Sequence, residues 1–143
     1  MAEDKFKKAL LLNPKSAQVI FLWGAILADL EKYTEAIEKF EQATKLQSNH
    51  ADAWHYWALA LLRKGRHEEA MEKIKRALNI NPLRIESHIC QAEILTAMKK
   101  FDEALEAFNV AVKINGNIPD IYISWGVTLQ TYGEHYEAIE KFI

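Results

Sequence analysis

The sequence predicts an all-α fold, a stack of antiparallel helix pairs, and three observations carry that prediction. Residue sizes repeat every thirty-four positions without a gap. Within each repeat the apolar residues recur three or four apart, the spacing of one helix face. Between the two stripes of each repeat lies a short polar stretch suited to an antiparallel helix pair. Such a period marks an architecture in which each unit buries its apolar face only against its neighbours.

The segments starting at Ala17, Ala51, Ile85 and Pro119 align column by column. Ile20, Trp54, His88 and Tyr122 share one column, and Trp23, Trp57, Gln91 and Trp125 share the one three residues on. Gly24, Ala58, Ala92 and Gly126 form a small-residue column, followed by Leu27, Leu61, Leu95 and Leu129. The second stripe holds Ala36, Ala70, Ala104 and Ala138, then Phe40, Ile74, Phe108 and Phe142, then Ala43, Ala77 and Ala111. The small residues let two backbones approach, and the large rings fill the space beside them. The tryptophans, on helical stripes, are expected in the core.

Taken in order, "MAEDKFKKALLLNP" places Ala2, Phe6 and Ala9 one period before Ala36, Phe40 and Ala43. Residues 1–16 therefore read as the second helix of an incomplete repeat. Repeat 17–50 has helices at about 17–30 and 33–46, joined by "LEKYTE". Repeat 51–84 has helices at about 51–64 and 67–80, joined by "RKGRHE", and Asn81-Pro82 then stops the chain. Repeat 85–118 has helices at about 85–98 and 101–114, joined by "MKKFDE". Residues 119–143 form an incomplete repeat, with a helix at about 119–132, Pro119 in its first turn, a bend at "TYGEHY" and a last helix from about 135. Both ends interrupt the repeat, as a segment of a longer single array would, or a natural chain whose first helix acts as a cap.

These columns resemble the tetratricopeptide repeat (TPR) family. The family pattern appears in the second unit as Trp54, Trp57, Ala58, Leu61, Ala70, Ile74, Ala77 and Pro82, and in the last as Tyr122, Trp125, Gly126, Leu129, Ala138 and Phe142. The third unit departs from it at His88 and Gln91, and the first and third lack the closing proline. The resemblance implies a right-handed superhelix, or solenoid, whose concave face is lined by the first helix of each pair and binds peptides.

On that mapping Phe21, His55, Ile89 and Ile123 form one inward row, and Ala25, Leu59, Glu93 and Val127 the next. Gln18, Asp52, Glu86 and Asp120 run along one edge, and Asp29, Arg63, Ala97 and Thr131 along the other. Phe21 is the expected anchor; His55 is either a ligand contact or a solvated surface group. The expected peptide site is therefore Phe21, Ala25, Asp52, His55, Leu59, Glu86, Ile89, Glu93, Asp120, Ile123 and Val127. The family's carboxylate clamp needs Lys, Asn and Arg, whereas the matching places here hold Phe21, Ala25, Tyr56, Asp52, Glu86 and Cys90. Asp52, Glu86 and Asp120 favour instead an apolar peptide with Lys or Arg flanks.

Composition narrows the rest. The 143 residues carry a net charge of −2, which gives no global argument for a polyanion partner. Lys73, Lys75, Arg76 and Arg84 cluster, but Glu68, Glu69 and Glu72 interleave them, so no nucleic acid is expected. On the second helices Glu35 with Lys39, Glu69 with Lys73, and Glu72 with Arg76 suit solvated i,i+4 pairs. Cys90 is the only cysteine and is expected half-buried, with no disulfide. No apolar run approaches the ~20 residues of a membrane span, and the start lacks a secretory pattern, so a cytoplasmic protein without membrane insertion is expected. There is no phosphate loop, no HExxH and no convergent ligand set among the five histidines; no metal, cofactor or catalytic site is expected. Three functions fit: a protein-interaction scaffold for a peptide or protein element, a self-assembly module forming homo-oligomers through uncapped ends, and a substrate-recruiting segment of a larger enzyme.

Overall fold

A computed structural model describes residues 2–140. Those residues form eight α-helices and no strand. They are α1 (Ala2–Leu12), α2 (Ala17–Asp29), α3 (Tyr33–Leu46), α4 (Ala51–Arg63), α5 (His67–Ile80), α6 (Ile85–Ala97), α7 (Phe101–Ile114) and α8 (Pro119–Glu140). The chain divides into two compact units, Met1–Pro82 and Leu83–Ile143.

In the first unit α2 pairs with α3 and α4 with α5. The pairing stripe is fully buried: Ala36, Phe40 and Ala43 are 0% exposed, as are Ala58, Leu61, Ala70 and Ile74. Gly24 explains the closeness of the first pair. A Cβ there would stand 2.7 Å from Phe40 Cε1, so only glycine leaves room for that ring. The starts of α2 and α4 are capped by side chains. The Ser16 hydroxyl accepts from the Val19 N–H at 3.2 Å, and His50 Nδ1 accepts from the Ala53 N–H at 3.1 Å. Because Nδ1 accepts, Nε2 carries the His50 proton and donates to Gln18 Oε1 at 2.9 Å, tying α4 to α2.

The second unit pairs α6 with α7 and sets α8 against both. Ala104, Phe108 and Ala111 are again 0% exposed, and Ile121 and Thr128 are the buried side chains of α8. The Thr96 hydroxyl donates to the Ala92 carbonyl at 2.8 Å, so the 2.8 Å bond to Thr128 is donated by Thr128.

Three of the four polar connections are turns of one kind. Glu31, Gly65 and Lys99, one period apart, have φ of 60°, 77° and 64°. The N–H after each donates back to Leu27, Leu61 or Leu95 at 2.8–2.9 Å, and their own N–H groups donate to Ala28, Leu62 and Thr96 at 2.9–3.0 Å. This is a Schellman motif, which satisfies the last carbonyls of the first helix and reverses the chain.

The fourth connection differs from expectation. "TYGEHY" does not bend, and α8 runs unbroken from Pro119 to Glu140 through Gly133. The reason is energetic. Leaving a helix forfeits its hydrogen bonds and is compensated only when the next helix buries a stripe. Ala138 stays exposed, whereas its counterparts Ala36, Ala70 and Ala104 are sealed.

Candidate functional site

The first helices present one face in each unit. On α2, Leu22, Ala25, Ile26 and Asp29 lie three or four apart in one stripe, and none is buried. Leu22 and Ile26 are large and apolar yet 43% and 39% exposed. The matching positions of α4 are Tyr56, Leu59, Ala60 and Arg63; Tyr56 and Leu59 are half-buried, Arg63 is exposed, and Ala60, unlike its counterpart Ile26, is buried, while Asp52 lies exposed one turn before them.

The expected inward row sits deeper than its sequence position suggested. Phe21 is 6% exposed, and its ring lies 4.9 Å from His50 and 5.4 Å from Tyr56, centroid to centroid. His55 is 4% exposed and packs edge-on against Tyr56, so it is not a solvated group. Ala25 and Leu59 are half-buried and Asp52 is exposed. What lies open on α2 is thus the column one residue on, Leu22. One residue turns a helix by about 100°, enough to exchange a side chain lying under the next pair for one facing outward. Leu22 and Ile26 were missed because neither belongs to a repeat-packing column. Their alternation with Asp29 was the only available signal.

In the second unit, Ile89 and Cys90 are buried, Cys90 at 2% rather than half-buried. Glu86 is exposed and pairs with Arg84 Nε at 3.6 Å, and Glu93 accepts from the Ser124 hydroxyl at 3.3 Å. Asp120, Ile123 and Val127 are all exposed on α8. Residues 85–97 and 119–140 contain several carboxylates but no Lys or Arg, so the first-helix surfaces of this unit carry negative charge.

The tryptophans hold positions other than full burial. Trp23, Trp57 and Trp125 are half-buried. Lys39 Nζ lies 3.8 Å from the Trp23 ring centroid, Lys73 Nζ 4.4 Å from Trp57, and the Arg76 guanidinium 5.4 Å from Trp54. Cations expected to form simple solvated pairs thus cover indole faces, where the ring quadrupole adds to the attraction. Trp54 and Tyr122 also pin the loops between repeats: the Trp54 indole N–H donates to the Ser48 carbonyl and the Tyr122 hydroxyl to the Gly116 carbonyl.

Among the described residues no group of three or more His, Cys, Asp and Glu side chains could hold a metal ion. Nor is any of their helices long and apolar enough to cross a membrane.

The family model described as Tetratricopeptide repeat matches residues 21–85. Those residues are tetratricopeptide repeats. The fold extends beyond them, because solved TPR-type structures superpose on almost the whole chain. MamA does so with a TM-score of 0.79 at 22% identity, covering 96% of this chain and 80% of that one. YrrB, described as a TPR protein with an unusual peptide-binding site, gives 0.76 at 22% identity, covering 96% and 71%. The first TPR of Spaghetti (RPAP3), bound to the HSP90 peptide SRMEEVD, gives 0.76 at 17% identity, covering 82% and 93%. No curated protein matches the chain at a significant level. The TPR resemblance seen in the columns and the all-α repeat fold both hold.

Proposed function

We propose that this TPR chain is a protein-interaction scaffold whose first-helix face binds an apolar peptide or protein element flanked by Lys or Arg. The observation that carries the reading is the exposed Leu22–Ile26 stripe of α2, bordered by the carboxylate of Asp29 and joined in the same unit by that of Asp52. Two exposed aliphatic side chains on a structured helix offer apolar burial to a ligand, at about 25 cal/mol per Å² before association costs. The carboxylates speed encounter with a basic peptide and select against an acidic one. YrrB and Spaghetti, whose descriptions name a peptide-binding site and a bound peptide, add support by likeness of fold. The role is recognition; the reading assigns no reaction to the chain.

The test is a fluorescence-anisotropy titration with two labelled peptides sharing an apolar centre, one with lysine flanks and one with glutamate flanks. The lysine-flanked peptide binds more tightly, and its affinity falls as salt rises, because exposed charges are screened over ~10 Å at 0.1 M. Leu22→Asp lowers that affinity about tenfold or more, the equivalent of losing one buried aliphatic contact. Asp52→Lys narrows the preference between the two peptides. Unchanged binding in both variants removes the face from consideration.

A further inference from the structure

Helix α4 carries its outward residues at a spacing that suits one kind of occupant. Asp52, Tyr56, Leu59 and Arg63 are four, three and four apart. That rhythm averages about 3.5 residues, the spacing with which one α-helix meets another along a continuous seam. The two apolar residues are half-buried, and an exposed charge stands at each end, a carboxylate in the first turn of α4 and a guanidinium in the last. Among the described residues none forms an ion pair with Arg63. Helix α4 lies inside the array, with a whole repeat before it and its own second helix packed on it, so this stripe owes nothing to an end of the chain.

Helix α2 runs beside it in the same direction. His50 at the start of α4 holds Gln18 at the start of α2, and further along Tyr56 meets Phe21 at 5.4 Å, centroid to centroid. The seam between the two helices is thus filled, and Ala25 and Leu59, half-buried one turn further on, continue its surface.

We infer, resting on the interaction face already proposed, that its occupant is an amphipathic helix antiparallel to α4, with a basic last turn beside Asp52 and an acidic first turn beside Arg63. Asp52 and Arg63 stand about 16 Å apart along the axis, at about 1.5 Å per residue, so the partner's charges fall three turns apart. Its apolar residues, three or four apart between those charges, meet Tyr56 and Leu59. Direction follows from the dipoles. An α-helix favours acidic residues in its first turn and basic residues in its last. Laid antiparallel, such a helix brings its carboxylates to Arg63 and its cations to Asp52. Laid parallel, it sets like charge against like at both ends. The same columns on α2 hold Gln18, Leu22, Ala25 and Asp29, with a carboxylate at the end where α4 has Arg63. A helix suited to α2 in that direction needs a basic first turn, against its own dipole, so the charges select α4.

Anisotropy titration with two labelled, hydrocarbon-stapled helical peptides of one composition tests this. One has glutamates in its first turn and lysines in its last; the other has the two ends exchanged. Staples on the outward face hold both helical, so intrinsic helix stability does not enter. The first peptide binds about tenfold more tightly, because two exposed ion pairs replace two like-charge contacts. Arg63→Glu alone abolishes the preference, and Arg63→Glu with Asp52→Lys inverts it. Both positions are exposed, and a thermal melt checks that each variant stays folded. Equal binding of the two helices by wild type, or a preference that survives the double variant, overturns the proposal. Failure of both helices while the flexible lysine-flanked peptide binds also overturns it and leaves the interaction face standing. Failure of all three peptides removes the face and the helix together.

Discussion

Two glycines in one column of the repeat have opposite surroundings, and substitution should separate them. Gly24→Ala drives a methyl into the Phe40 ring, which is sealed on all sides and cannot yield. Overpacking of that kind costs about 1–3 kcal/mol, more than the ~1 kcal/mol gained in helix propensity. Gly126→Ala meets open space and stabilises by about 0.5–1 kcal/mol. Urea denaturation at low protein concentration reads both signs. Phe21 argues the same way from the other direction: buried among Phe40, His50 and Tyr56, it acts as a core ring, and Phe21→Ala should cost about 3–5 kcal/mol. At the surface, the hydrogen bond from Arg66 holds the Glu69 carboxyl below the usual carboxylate range. A lowered folded-state pKa stabilises at neutral pH, and that contribution is lost as pH falls below the ordinary carboxylate value and through the lowered one. Glu69→Gln should therefore melt slightly below wild type at pH 7, with the gap closing across that acid window. The effect stays small because both partners are solvated.

At the scale of elements, the turns show what repetition in sequence leaves open. The chain adopts φ near 60° at Glu31 and Lys99, where glycine carries no steric penalty, as well as at Gly65. A left-handed residue with a Cβ costs about 1–2 kcal/mol, so Glu31→Gly and Lys99→Gly should each raise stability by up to about that amount, less the entropy glycine loses on folding. Thermal or urea melts of the two single variants measure it. Gly133, as well suited to this turn as Gly65, remains helical. Turn propensity at one residue is not enough to bend the chain. The helix boundaries from α2 to α7 were legible because small-residue columns, apolar stripes and short polar connections all agreed there. Local and packing signals parted only in the last repeat.

For the whole molecule, stability follows how many sides of each helix are covered. Amide exchange should be slowest in α3, α4, α5 and α7, whose stripes are sealed. It should be fastest in α1, which has no buried residue, and in α8 beyond Gly133, where every residue from Tyr136 to Glu140 is exposed. Exchange mass spectrometry resolves these segments. Equal protection of residues 134–140 and α5 would contradict the exposure of Tyr136 to Glu140. The same gradient places recognition on surfaces that do not have to move, because Leu22 and Ile26 stand on a helix whose opposite side is locked by Gly24, Leu27 and Phe21.

The thirty-four-residue period by itself determined the helix pairs, their order, and the residues that seal Ala36, Phe40 and their counterparts. It could do so because packing between neighbouring helices demands the same sizes at the same places in every unit. Only tertiary structure decided that Phe21 and His55 lie under their neighbours while Leu22 faces outward, and that α8 does not bend. Each of those outcomes depends on which surface the adjoining helix covers, and a column of aligned residues records size without recording cover.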